Sequence, residues 1–183
     1  RGVAPADAVA EVKRWQAENS SRVEVGNHFK LMLDGAIFSG LSQFGAPGYL
    51  DGHEGVWMAP RDVTHDYALA FWQAGFQLHA HSNGDAATGW FLSLLEDLLS
   101  EAPRADHRMT LEHFAYSTED QTRRLSALGA AVSANPYYHS ILSDMYSGDW
   151  LGPDRSSQMS RLSSLERADI PLALHSDNPM APL

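Results

Sequence analysis

The chain has 183 residues, 44% of them apolar and 20% charged, enough for one domain with a sizeable core. Its 13 basic and 23 acidic side chains leave a formal net charge of −10, which argues against a nucleic-acid phosphate track or an anionic membrane surface as partner. With no cysteine, disulfides and thiolate metal sites are excluded, and any metal must be held by His, Asp, Glu or a modified Lys.

No apolar run approaches the roughly 20 residues of a membrane span, and no signal-type segment opens the chain. Starting at Arg1 and stopping just after a strand that bears site residues, the chain is expected to be a piece of a longer protein. Pro5-Ala6-Asp7-Ala8 opens a helix to about Asn19, with Val9, Val12 and Trp15 on one face. A strand is expected over residues 23–33, and its second half sets Lys30 inside an apolar run that ends in Asp34-Gly35. Residues 35–60 are polar, glycine-rich and too long for a simple connection, which predicts a functional loop. A second helix starts near Arg61 and is stopped by Gly75.

The rest of the chain is organised around Gln77-Leu78-His79-Ala80-His81-Ser82-Asn83-Gly84-Asp85. It reads as a short buried strand ending in histidine, then a turn, then a helix in which Trp90, Phe91, Leu94, Leu95, Leu98 and Leu99 recur at helical spacing. Asp85 stands where an N-cap belongs, which is its expected role rather than that of a catalytic acid. Residues 108–114 form a third strand, again ending in histidine, His113. Thr118-Glu119-Asp120-Gln121 has capping-box form and opens a helix through Leu125 and Leu128 to Gly129. A fourth strand, residues 130–134, runs into a second long loop over residues 135–153. A last helix over residues 156–168 precedes a fifth strand, residues 170–174, which ends in His175-Ser176-Asp177.

Five strands alternating with helices predict an α/β fold with a parallel sheet. Both long insertions follow strands, so they share a face with the strand-terminal residues, as in a (β/α)8 TIM barrel. A complete barrel takes about 250 residues, so one domain over residues 1–183 reads as a partial barrel.

Four strand ends offer metal-type ligands: Lys30, His81, His113 and Asp177. Neutral imidazoles and a carboxylate suit zinc or another divalent ion, while a lysine must first lose its charge, for instance as a carbamate. Singly, each has a plainer reading. A strand-end histidine can be a hydrogen-bonded structural residue, Lys30 can pair with Asp34, and Asp177 can cap a turn. His79 shares a strand face with His81, which makes it a substrate contact or a packed interior residue. His28, His53, His65 and His107 show no partner pattern and read as surface or loop residues.

Lys30-Leu31-Met32-Leu33-Asp34-Gly35, the His-Ser-Asn-Gly-Asp run from His81, Leu111-Glu112-His113 and His175-Ser176-Asp177-Asn178-Pro179 resemble, in order, the motifs of the amidohydrolase superfamily. The likeness is to its amidohydrolase family 3 branch, the YtcJ-like and N-substituted formamide deformylase-like enzymes. That resemblance implies a metal-dependent hydrolase of amide or other non-peptide C–N bonds acting through a metal-activated hydroxide, with this chain covering the fourth to eighth barrel strands. It implies one or two divalent metal ions, zinc being the expected one. Lys30 matches a lysine that can be carboxylated to bridge metals, His81 and His113 match metal histidines, and Asp177 matches the aspartate that binds metal and shuttles the proton. The first-strand His-x-His pair of that family has no counterpart here, and His79-Ala80-His81 follows the wrong strand to replace it. The alternative is a non-catalytic partial barrel that needs its parent chain or self-association to complete a site. A small-molecule substrate is expected, contacted by His79, Tyr137 and His139, with Phe44, Tyr49, Trp57 and Tyr138 as further pocket walls. The compartment is not legible.

Overall fold

The structure, a computed structural model, describes residues 2–178; Arg1 and residues 179–183, including Pro179 of the last motif, lie outside the described residues. Alternation builds the strands. Leu31 on β1 (His28–Met32), Leu78 and Ala80 on β2 (Gln77–Ser82), Leu111 on β3 (Thr110–His113), and Val132 and Ala134 on β4 (Ala131–Ala134) are buried on one face. Lys30, His79, Glu112 and Ser133 lie between them on the other face and are more open. With β5 (Leu172–Leu174) the strands pair in chain order, every pair parallel. Helices cover only the apolar face: α2 (Arg61–Gln73), α3 (Asp85–Glu101), α4 (Glu119–Ala127) and α7 (Leu162–Arg167) pack Phe71, Phe91, Leu95, Leu125 and Leu165 against the strand leucines. Each such side chain contributes about 1.5–3 kcal/mol of apolar burial. At the chain start α1 (Pro5–Ala17) docks on α2, with Val9 and Val12 half-buried and Trp15 left 47% exposed.

The sheet is open among the described residues, with β1 and β5 as its two edges. Strand order and helix placement are those of a partial (β/α)8 barrel. Partners in a parallel register project to the same side, so the uncovered face carries one row of Lys30, His79, Thr110 and Ala131, and a second of Met32, His81, Glu112, Ser133 and Ala173. This face is the inside of the barrel. On the helix side Leu172 and Leu174 are 38% and 60% exposed, whereas their β4 partners Val132 and Ala134 are covered.

Several expectations change. The first strand pairs only over His28–Met32, because Asn19 ties both backbone groups of Val25 and draws residues 23–27 away from the sheet. Gly84, not Asp85, is the N-cap of α3; the Asp85 carboxylate instead accepts the Gly45 N–H at 2.8 Å. The capping box of Thr118 and Gln121 forms as expected. Residues 135–153 are not a loop but α5 (Tyr137–Met145), a π-helical turn (Tyr146–Trp150) and the start of α6 (Pro153–Ser156). Tyr138, Leu142 and Tyr146, four apart and all buried, carried that helical signal. The expected helix over residues 156–168 is split between α6 and α7 by Ser160, whose φ is +50°.

The two long segments after β1 and β4 close on each other. Tyr146 donates to Ile37 O at 2.5 Å, Leu50 N–H to Trp150 O at 2.8 Å, and Arg155 to Gly48 O at 2.5 Å. Ile37, Tyr49, Tyr116, Tyr138, Leu142 and Tyr146 form a second core, with Phe44 packed against it. Tyr49 and Phe44, expected as pocket walls, pack in this second core and also line a cavity of about 340 Å³, and Trp57 stacks edge-on against Trp90.

Candidate functional site

The site is anchored by Asp34. Its fully buried carboxylate accepts the N–H groups of Gln43 at 3.0 Å, Asn83 at 3.0 Å and Gly84 at 2.9 Å. One side chain thus ties the end of β1 to the loop that follows it and to the turn between β2 and α3. Burial raises the Asp34 pKa to about 6, although the three amides pull it down. The ion pair with Lys30 that the sequence permits does not form, because Asp34 is already enclosed by backbone donors. Gly84 is required by close approach: a Cβ there would lie 1.8 Å from Gln43 O.

On that anchored turn, His81 and His113 meet ring to ring at 4.5 Å in an edge-on arrangement. Strict alternation would send His113 toward the helices with Ser82 and Ala134. A φ of +80° at His113, followed by +52° at Phe114, ends the strand in the left-handed region and leaves the ring beside His81. Such a backbone costs about 1–3 kcal/mol at a non-glycine residue and persists where the surroundings enforce it. Burial, then His81 and Lys30, hold the His113 pKa near 3, so the ring is neutral. His81 is lowered too, chiefly by burial and with Lys30 acting in the same sense; its Nε2 accepts from Asn83 Nδ2 at 3.0 Å. The hydroxyl of Tyr138, whose pKa burial raises, is hydrogen-bonded with His113 Nδ1 at 3.3 Å.

Beside this pair on the inner face lies a polar cluster centred on Glu112. Its Oε1 accepts from His79 Nδ1 at 2.6 Å, and its Oε2 stands 4.0 Å from His175 Nε2. Burial alone would raise the Glu112 pKa, but hydrogen bonds from His79 and Ser133 bring it below the usual carboxylate range. His175 continues the imidazole series, 5.1 Å from the His113 ring, and His28 lies edge-on to His79 at 5.4 Å. The Nε2 atoms of His79 and His175 are buried without a hydrogen-bond partner among the described residues.

The expected site residues are thus partly gathered. His81 and His113 meet at the strand ends, Lys30 stands one inward row lower beside His79 with its charge acting on both rings, and the Asp177 charge reaches both His81 and Tyr138. Asp177 is exposed, with a φ of +57°. Tyr137 is half-buried, its N–H held by Asn135 Oδ1, while His139 is exposed on the rim beyond α5's start. Tyr138, the neighbour of Tyr137, makes the histidine contact. Glu112, His175 and Asp34 were not read as site residues; their signal was adjacency to His113, Asp177 and Gly35 in the same motifs. His107, expected at the surface, is buried and bonded to Leu128 O, whereas His28 is exposed as expected, on the uncovered face of the sheet.

The donor chemistry fits a divalent ion, since two buried imidazoles are kept neutral and side by side. It fits as an incomplete set: among the described residues no three His, Asp or Glu side chains converge closely enough to hold a metal.

Fold and site together define a partial α/β barrel with an imidazole-rich face at its strand ends. A family model described as the amidohydrolase family matches residues 2–183, and the chain belongs to that family. The chain is similar in fold to a crystal structure of an uncharacterized metal-dependent hydrolase from Pyrococcus furiosus, with a TM-score of 0.77 at 20% identity over 97% of this chain. A metal-dependent hydrolase from Pyrococcus horikoshii is similar at a TM-score of 0.77 and 19% identity, also over 97% of this chain. A solved amidohydrolase aligns at a TM-score of 0.51 and 18% identity over 92% of this chain and 37% of its own. The chain spans about a third of the two Pyrococcus structures, 36% and 35% of their lengths. Comparison with curated proteins finds no match.

Proposed function

We propose that this chain forms the fourth to eighth strands of a metal-dependent hydrolase barrel that cleaves an amide or other non-peptide C–N bond of a small molecule. The observation that carries the reading is His113, turned out of its strand alternation at a φ of +80° to stand 4.5 Å from His81. Lys30, His81, His113 and Asp177 are the residues that would face the ion, zinc being the expected one. The remaining donors come from outside this chain, supplied by the rest of its parent or by a second copy.

A bound divalent ion supplies Lewis acidity toward the scissile carbonyl and acidifies water. The chain's own residues do the rest. Asp177 takes the proton from the attacking water and returns it to the leaving nitrogen. His79 and His175, both close to Glu112, offer Nε2 atoms to substrate polar groups, while Tyr137 and His139 border the entrance. His81 and His113 stay neutral, as ligands must be.

The test is metal content by plasma mass spectrometry on chain purified without chelator and then equilibrated with zinc. Near-stoichiometric metal that both His81→Ala and His113→Ala abolish supports the reading. Metal bound equally in both variants overturns it, and a chain that takes up none favours the alternative, a non-catalytic partial barrel that needs its parent or a second copy to complete the site.

A further inference from the structure

A cavity of about 480 Å³ opens between the start of α4 and the segment joining α6 to α7, beside Pro136 and His139. Its wall carries two guanidiniums, Arg161 and Arg167, and a single carboxylate, Glu119. Glu119 is divided among three partners. Its Oε2 lies 3.7 Å from Arg161 Nη1, while its Oε1 lies 3.5 Å from Arg167 Nη2 and accepts the Ser164 hydroxyl at 2.9 Å. Both guanidinium distances are long for an N–H···O bond, so neither cation is closely paired with Glu119. Two positive charges face one negative charge.

The two arginines are held differently. Arg161 is 16% exposed and fixed, its Nε donating to Ser117 O at 2.7 Å and its Nη2 to Gln158, which leaves Nη1 as the edge toward the cavity. Arg167 is 66% exposed and bonded by Nη2 to Ser164 Oγ at 3.0 Å. Ser163 and His139 add further polar groups to the wall. In a chain of net charge −10, a concave wall with an excess positive charge is a local reversal of the protein's field. A fixed guanidinium with an exposed second one is a grip suited to a planar or tetrahedral oxyanion.

We propose that this cavity binds the oxyanion of a small molecule, a carboxylate or a phosphate, between Arg161 and Arg167. Glu119 is an internal competitor that the incoming anion displaces. The assignment needs only the cavity and stands apart from the hydrolase reading.

Calorimetric titration of the intact chain with inorganic phosphate and with acetate, each against chloride at matched ionic strength, tests it. Saturable one-to-one binding is expected for at least one of the two, and which one saturates identifies the oxyanion. Arg167→Gln weakens that binding by about fivefold, the size of one solvent-exposed charged contact, and Glu119→Gln strengthens it by a similar factor. Both positions are at the surface and the capping-box hydrogen bonds are made by Thr118 and Gln121 alone, so both variants fold. Absence of saturable binding in both the parent chain and Glu119→Gln overturns the proposal, as does binding that Arg167→Gln leaves unchanged.

Discussion

His79 Nδ1 donates to Glu112 Oε1 at 2.6 Å, joining the lower row of inward residues to the upper one. The Glu112 pKa lies below the usual range, so the carboxylate is the acceptor and the proton sits on Nδ1 of His79. That leaves His79 Nε2 facing the inside of the sheet, without a hydrogen-bond partner among the described residues. Glu112→Ala strands the Nδ1 donor in a mostly buried position and is expected to lower stability by about 1–2 kcal/mol in urea unfolding. Glu112→Gln keeps an acceptor oxygen and costs less. Equal losses in the two variants would mean that packing, not the hydrogen bond, holds Glu112.

The turn after β2 is closed by contact with the loop after β1. Gly84 has a φ of −92° and a ψ of 159°, which any residue adopts, so Gly84→Ala adds no backbone strain. Its Cβ would meet Gln43 O at 1.8 Å, forcing the Asp34 staple apart. A loss of about 2–3 kcal/mol is expected, together with faster amide exchange at Gln43 and Ala86. Unchanged exchange at both amides would show that the staple tolerates the shift.

Two buried groups give stability opposite dependences on pH. His113 has its pKa lowered from 6.5 to about 3 in the fold, so the unfolded chain takes up the proton first and stability is lost as pH falls from 6.5 toward 3. The slope reaches about 1.4 kcal/mol per pH unit for one proton. Asp34 has its pKa raised from 3.8 to about 6, so the folded chain takes up that proton first and gains stability as pH falls from 6 toward 4. A shallow decline between pH 6 and 4 and a steeper one below 4 are therefore expected. Asp34→Asn removes the opposing contribution and steepens the decline between pH 6 and 4. Urea midpoints across this range measure both; identical profiles would rule out a protonating Asp34.

An open parallel sheet exposes two edges of unpaired backbone groups and, here, the apolar Leu172 and Leu174. Such edges recruit another strand or chain. The chain is expected to self-associate, or to bind the remainder of its parent, in size-exclusion chromatography with light scattering. A monomer that unfolds in one cooperative step counts against that.

Local physics made much of this legible in the residues themselves. Alternation placed Lys30, His79 and Glu112 opposite the leucines, and Thr118 with Gln121 announced the start of α4. The motif order pointed to the family. Tertiary structure decided the rest. It turned His113 out of alternation, chose Tyr138 over Tyr137 as the histidine's partner, and made Asp85 a tie to Gly45 instead of a cap. It also converted the two long segments into one small core, through contacts such as Tyr146 to Ile37, 109 residues apart. Periodicity and capping act over a few residues, so sequence carries them directly. Which loop packs on which, and which orphaned donor finds which acceptor, depends on pairings that exist only once the sheet has brought distant strands into register.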